Sequence, residues 1–165
     1  MQNKFNILIV EDVAVQAKKL KHSLEQLDYN VTWAMDGQQA LRELDKNEFQ
    51  LIISDIQMPN MDGIELLTHV KSTDTYRSIP FVIVTTQEDV AIKAQALSLG
   101  AADFLMKPYS FEELVLRVRN LIELYTYQKL LIHENFNLHR ELDKKSVVLQ
   151  DKQRQLEEVY VELQG

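Results

Sequence analysis

Phe49-Gln50-Leu51-Ile52-Ile53-Ser54-Asp55 is an almost unbroken apolar run that ends on an acid. A strand with one wet face alternates apolar and polar residues. A run that is apolar at successive positions is buried on both faces, as in a parallel sheet covered by helices on each side. Phe5 to Val10 and Phe81 to Thr85 have the same texture, and Asn30 to Met35 and Asp103 to Met106 read as two shorter strands. Between the strands, apolar residues recur at helical spacing: Leu20, Leu24 and Leu27, then Ala40, Leu41 and Leu44, then Ile64, Leu67 and Val70. Strand-helix alternation repeated five times predicts a doubly wound α/β domain. Right-handed crossovers leave it only a few topologies.

In such a sheet the ligand crevice lies outside the carboxyl ends of the strands. The residues found there are Glu11-Asp12 after the first strand, Asp55 after the third, Thr85-Thr86 after the fourth and Lys107-Pro108 after the fifth. Three carboxylates brought to one edge repel one another and call for a cation. An oxygen-only set without Cys or His points to Mg²⁺ or a similar hard ion such as Mn²⁺. A carboxylate beside such an ion can attack phosphorus and form an acyl phosphate. The metal and Lys107 would offset charge on the phosphoryl oxygens, and the Thr85 hydroxyl could donate to one of them. A single acid at a strand end is commonly just a helix cap; acids, hydroxyls and a lysine at four of five strand ends are a far more specific pattern.

These segments resemble a known family. Ile7-Leu8-Ile9-Val10-Glu11-Asp12, Ile53-Ser54-Asp55-Ile56-Gln57-Met58-Pro59, Met61-Asp62-Gly63, Phe81 to Thr85, and Gly100-Ala101-Ala102-Asp103-Phe104-Leu105-Met106-Lys107-Pro108 are similar, in order and spacing, to the response-regulator receiver domains of two-component signalling. The resemblance covers residues 4–125. It implies a flavodoxin-like five-stranded parallel sheet of order 2-1-3-4-5, with Asp55 as phosphoacceptor and Glu11 and Asp12 as the acidic pair. It implies that Mg²⁺ is held by the Asp12 and Asp55 side chains and by the Gln57 backbone carbonyl, and that Thr85 and Lys107 contact the phosphoryl group. Thr85 and Phe104 would form the switch, with a phenylalanine where a tyrosine is often found. Gln57 and Gln87, two positions beyond Asp55 and Thr85, would tune the lifetime of the phosphorylated state. The implied partner is a sensor histidine kinase or phosphotransfer protein. The implied chemistry is self-phosphorylation and autodephosphorylation, not turnover of an external substrate. The face made by the fourth helix, fifth strand and fifth helix would pass the change on.

A metal-dependent phosphatase of the haloacid-dehalogenase type also uses an Asp nucleophile after a strand. It requires a second Asp two residues on, where this chain has Gln57. The four histidines, His22, His69, His133 and His139, do not form a ligand set. His133-Glu134 reads as an ordinary helix surface. Trp33 and Tyr29 are expected to pack on neighbouring helices, and Met58, Met61 and Met106 to fill gaps near the crevice.

After Pro108 the texture changes. Ser110, followed by Glu113 three residues on, is an N-cap signal, and no Pro or Gly interrupts the chain again until Gly165. The pattern stays helical for about fifty residues, roughly 75 Å at 1.5 Å per residue. Leu121, Gln128, Asn135, Leu142, Leu149, Leu156 and Leu163 fall at heptad position a; Leu124, Leu131, Leu138, Lys145, Lys152 and Val159 fall at d. This predicts a coiled-coil extension over 126–164, continuous with the fifth helix and forming a parallel homodimer. Asn135 would fix its register and two-stranded state, and the two lysines would weaken its second half. Many relatives by this resemblance continue into an output domain, which here would lie beyond residue 165.

Composition limits the partners. A net charge of −7 argues against direct nucleic-acid binding. Lys129 to Gly165 carries six basic and seven acidic residues, so no basic segment hides there and the acidity belongs to the N-terminal part. Cysteine is absent, no run reaches the roughly eighteen apolar residues of a membrane span, and Met1 to Asn6 does not read as a signal peptide. The expectation is a cytoplasmic protein.

Overall fold

A computed structural model describes residues 4–86 and 90–165. Five strands, β1 (Asn6–Val10), β2 (Asn30–Ala34), β3 (Leu51–Asp55), β4 (Phe81–Thr85) and β5 (Asp103–Met106), form one sheet of order β2-β1-β3-β4-β5. Every neighbouring pair is parallel, with Ile9 opposite Ile53, Ile53 opposite Val82 and Val84 opposite Leu105. The helices are α1 (Ala14–Glu25), α2 (Gly37–Lys46), α3 (Gly63–Ser72), α4 (Val90–Ser98) and α5 (Phe111–Gln164).

The continuous apolar runs are explained by two cores, one on each face of the sheet. Leu8, Val10, Ile52, Phe81 and Ile83 point to one side and pack with Ala40 and Leu44 of α2, Leu66, Leu67 and Val70 of α3, and Ala96 of α4. Ile7, Ile9, Leu51, Ile53, Val82, Val84 and Leu105 point to the other and pack with Leu20 and Leu24 of α1 and Leu114, Val118, Leu121 and Ile122 of α5. Successive side chains of a strand point to opposite faces, so a central strand in this arrangement has no polar face to offer.

The helix starts follow local chemistry. Asp36 caps α2 by accepting from the Gln39 amide at 2.8 Å. Asp62 and Glu65 form a reciprocal capping box on α3, at 2.8 and 3.0 Å. Ser110 Oγ accepts from the Glu113 amide at 3.1 Å at the start of α5, as its sequence signal predicts. The Lys107-Pro108 bond is cis. Gly100, with φ of 105°, makes the turn between α4 and β5 in the left-handed region where glycine is unstrained.

Three expectations need adjusting. The second strand stops at Ala34, leaving Met35 exposed. Leu27 lies in the turn beyond α1, which ends at Glu25, so only Leu20 and Leu24 of its proposed face belong to the helix. Leu121 is not a seam residue: it is 8% exposed and belongs to the core beside Val118 and Ile122. The contrast with Leu124, which is 53% exposed, moves the start of any heptad seam to Leu124.

The chain divides into two compact units, Met1–Tyr125 and Thr126–Gly165. In the second, every residue from Thr126 onward is exposed, including Leu131, Asn135, Leu138, Leu142, Leu149, Leu156 and Leu163. Among the described residues no helix is long and apolar enough to cross a membrane.

Candidate functional site at the carboxyl edge of the sheet

The strand ends deliver the site. β1 passes directly into Glu11, whose amide donates to the Ala34 carbonyl of the neighbouring strand at 3.1 Å. The Trp33 indole donates to the Glu11 carbonyl at 2.8 Å. The Glu11 carboxylate is buried and accepts from the Val13 amide at 3.0 Å. Asp12, the next residue, is half-buried. Asp55 is the last residue of β3, and its Oδ1 accepts from the Ile56 amide at 2.7 Å. Glu11, Asp12 and Asp55 each offer an oxygen such that all three lie within 4.8 Å of one another.

Lys107 reaches this cluster from the far side. Its amide donates to the Thr85 carbonyl at 2.7 Å, which ties the end of β5 to that of β4. Its ammonium donates to Asp55 Oδ2 at 3.0 Å, to Glu11 Oε2 at 3.3 Å and to Gln16 Oε1 at 2.6 Å. Thr85 is buried at the end of β4, with its hydroxyl 3.3 Å from the Thr86 carbonyl oxygen it donates to. Gln57 is exposed just past β3. Gln87 lies outside the described residues.

Phe104 sits on β5 opposite Ile83, on the same face of the sheet as Thr85 and two residues back from it. Its half-buried ring packs against the core and has two cations within reach. The Lys93 ammonium is 5.2 Å from the ring centre and the Arg117 guanidinium 5.9 Å. Arg117 is held in turn by Asp103 at 2.6 Å and Glu113 at 3.2 Å, while Lys93 also donates to the Met106 sulfur at 2.7 Å. Met58 and Met61 pack against the same core, filling space beside the crevice.

The electrostatics are unbalanced. Burial pushes the Glu11 carboxyl above its usual range, and the neighbouring Asp55 adds to this, against the opposing pull of the Val13 amide and Lys107. Burial by itself would lower the Lys107 ammonium, but its bonds to Asp55 and then Glu11 outweigh it, and the net direction is up. One ammonium cannot neutralise three carboxylates. The donor set is all oxygen, gathered within 4.8 Å, so it fits a hard divalent ion such as Mg²⁺.

Sequence reasoning missed three residues here. Trp33 packs on the core covered by α1 and α5, as expected, and its indole N–H in addition fastens the Glu11 carbonyl next to the site; a half-buried indole in need of an acceptor is the available signal. Gln16 sits four residues after Asp12 in the first turn of α1, a spacing that places it back over the strand end. Tyr109, two residues after Lys107, packs half-buried against the core, and burial raises its hydroxyl above the ordinary tyrosine range.

Comparison with known proteins agrees with this geometry. Residues 7–119 match the family described as the response regulator receiver domain. The transcriptional regulatory protein CrdR of Helicobacter pylori is 32% identical over 168 residues, covering 100% of this chain and 76% of that protein. The response regulator ArlR of Staphylococcus haemolyticus is 36% identical over 117 residues, covering 71% of this chain and 52% of its own length. Among solved structures, the chemotaxis response regulator CheY4 of Vibrio cholerae is 30% identical with a TM-score of 0.68, covering 72% of this chain and 99% of that one. The signal receiver domain of an HD domain-containing protein from Pseudomonas fluorescens is 30% identical with a TM-score of 0.73, covering 78% and 94%. Apart from CrdR, the curated relatives that lead the comparison are matched over only about half of their own length.

Proposed function

The chain belongs to the response regulator receiver family, and from that premise we propose that Asp55 takes a phosphoryl group from a histidine kinase or phosphotransfer protein in a two-component phosphorelay. The observation that carries the reading is the Lys107 ammonium bonded to both Asp55 and Glu11 at the edge where Asp12 also arrives. A carboxylate held beside a cation, with further acids to anchor a metal, suits in-line attack on phosphorus.

In this reading an Asp55 oxygen forms the new P–O bond as the donor's bond to phosphorus breaks, and the leaving group departs with the electron pair. Glu11, Asp12 and Asp55, with the Gln57 carbonyl, would hold Mg²⁺ or Mn²⁺, which when bound supplies positive charge next to the phosphoryl oxygens. Lys107 and the Thr85 hydroxyl donate to those oxygens. Movement of Thr85 toward the phosphoryl group opens room on its face of the sheet, and Phe104 is placed on the adjacent strand to fill it. The ring has no hydroxyl, so its two positions differ by packing and by its contacts with Lys93 and Arg117. Gln57 and Gln87 would set how fast water removes the phosphoryl group.

Residues 4–125 act as the receiver in this proposal. Residues 126–164, with Leu124 just ahead of them, self-associate as a parallel coil through Leu124, Leu131, Leu138, Leu142, Leu149, Leu156 and Leu163, with Asn135 setting register; the exposure of these leucines leaves a seam to cover. Relatives named as transcriptional regulators make a downstream output, in a further domain or a separate partner, the natural recipient of the signal. The working compartment would be the cytoplasm.

Acetyl phosphate with Mg²⁺ tests the central step. The intact protein should gain one phosphoryl group by mass, and Asp55→Ala should gain none. Label surviving in Asp55→Ala would refute the assignment, and steady turnover of external phosphomonoesters would favour a phosphatase instead.

A further inference from the structure

Lys107 has three N–H donors and three acceptors, one each from the end of β1, the first turn of α1 and the end of β3. Two are carboxylates of the acidic cluster. The third, Gln16 Oε1, is neutral and at 2.6 Å makes the shortest of the three contacts. A lysine ammonium only donates, so the Gln16 group facing it must be the amide oxygen. The side chain is exposed on α1, and its own helix has no need of this contact.

The arrangement poses a problem for phosphoryl transfer. Asp55 Oδ1 is engaged by the Ile56 amide and Oδ2 by Lys107. For Asp55 to attack phosphorus, Lys107 must let go of Oδ2 and turn that N–H toward the incoming phosphoryl oxygens. With only Glu11 as its other anchor, at 3.3 Å, the ammonium would be drawn to whichever carboxylate is nearer and would keep Asp55 masked. A neutral acceptor on the opposite side holds the ammonium in place while it exchanges one partner for another, and adds no negative charge to repel the phosphoryl group.

We infer that Gln16 is a positioning residue for phosphoryl transfer, anchoring the Lys107 ammonium through its amide oxygen while Lys107 passes from Asp55 to the phosphoryl group. The inference rests on the phosphoacceptor reading of Asp55 and names a residue that reading does not include.

The test is a cycle of four full-length proteins: wild type, Gln16→Met, Lys107→Met and the double variant. Each is labelled with acetyl phosphate and Mg²⁺ and followed by intact mass. Methionine keeps the length of glutamine and removes the strong acceptor. Gln16→Met should slow labelling by about ten-fold, within the range that misplacing a reacting group costs. Once Lys107 is already gone, the same substitution should change the rate less than two-fold, about the size of experimental scatter in such cycles. Gln16→Glu restores an acceptor but brings the negative charge that the neutral amide avoids, so it should recover only part of the lost rate. Unchanged labelling in Gln16→Met would overturn the inference, and so would an equal slowing with and without Lys107, because Gln16 would then act by another route. A wild-type protein that takes no label would overturn the Asp55 reading itself, and the inference with it.

Discussion

Gly63 offers a sharp test of how the Asp55 loop is held. It is the first residue of α3, and its amide donates to the Ile56 carbonyl at 2.8 Å. A methyl group added at Gly63 would lie 2.3 Å from the Asp55 carbonyl oxygen and 2.9 Å from Ile56 Cα. Both are backbone atoms, which cannot swing aside as a side-chain tip can. Restoring ordinary contact requires the α3 start and the Asp55–Ile56 backbone to separate by about 1 Å, since packed atoms sit roughly 3.5 Å apart. Overpacking of this kind costs about 1–3 kcal/mol. Replacing Gly by Ala returns about 0.5–1 kcal/mol through the unfolded chain. The net expectation for Gly63→Ala is a loss of about 1–2 kcal/mol, or a urea midpoint lower by about 0.5–1 M at an ordinary m-value near 2 kcal/mol/M. The same displacement moves the Asp55 carboxylate, so labelling by acetyl phosphate should slow by about ten- to a hundred-fold. Gly37→Ala is the comparison, because the three atoms nearest the methyl there all belong to the Met61 side chain rather than to the backbone. Gly63→Ala with the wild-type midpoint and the wild-type labelling rate would refute the close approach of α3 to the Asp55 backbone.

Two further outcomes follow from burial. Leu121→Ser should lower receiver stability by about 2–5 kcal/mol, the range for emptying a core leucine site, while Leu124→Ser with Leu131→Ser should leave it nearly unchanged and reduce self-association in sedimentation velocity. The reverse pattern would return Leu121 to the coil seam. Lys71 donates to the Arg77 and Ile79 carbonyls at 3.0 and 2.9 Å, and burial pulls its ammonium below the ordinary lysine range. Between the lowered folded pKa and the ordinary lysine value the native state binds fewer protons than the unfolded chain, so this group's contribution to stability rises with pH across that window. The stability of wild type relative to Lys71→Met should therefore increase with pH in urea titrations. A flat or falling difference would contradict it.

The sheet and most of the site are legible in the order of residues along the chain. Strands apolar at successive positions can only be buried on both faces, and that requirement alone leads to helices on each side and a crevice at the carboxyl edge. Glu11, Asp12, Asp55, Thr85 and Lys107 were legible because each immediately follows or ends a strand, where position along the chain fixes position in space. Gln16 was not: it matters through one hydrogen bond to a lysine 91 residues away, and no local pattern records such a partner. The second role of Trp33 is hidden for the same reason: it packs on the core that α1 and α5 cover, as its sequence suggests, but nothing local shows that its indole N–H meets the Glu11 carbonyl. Leu121 is the clearest case of tertiary structure deciding. Seven-residue spacing is produced equally by a helix packing on its own domain and by one packing on a second copy, because both demand one apolar stripe. Contact with Val118, Ile122 and the β-sheet core assigns Leu121 to the receiver, so any seam would begin at the exposed Leu124.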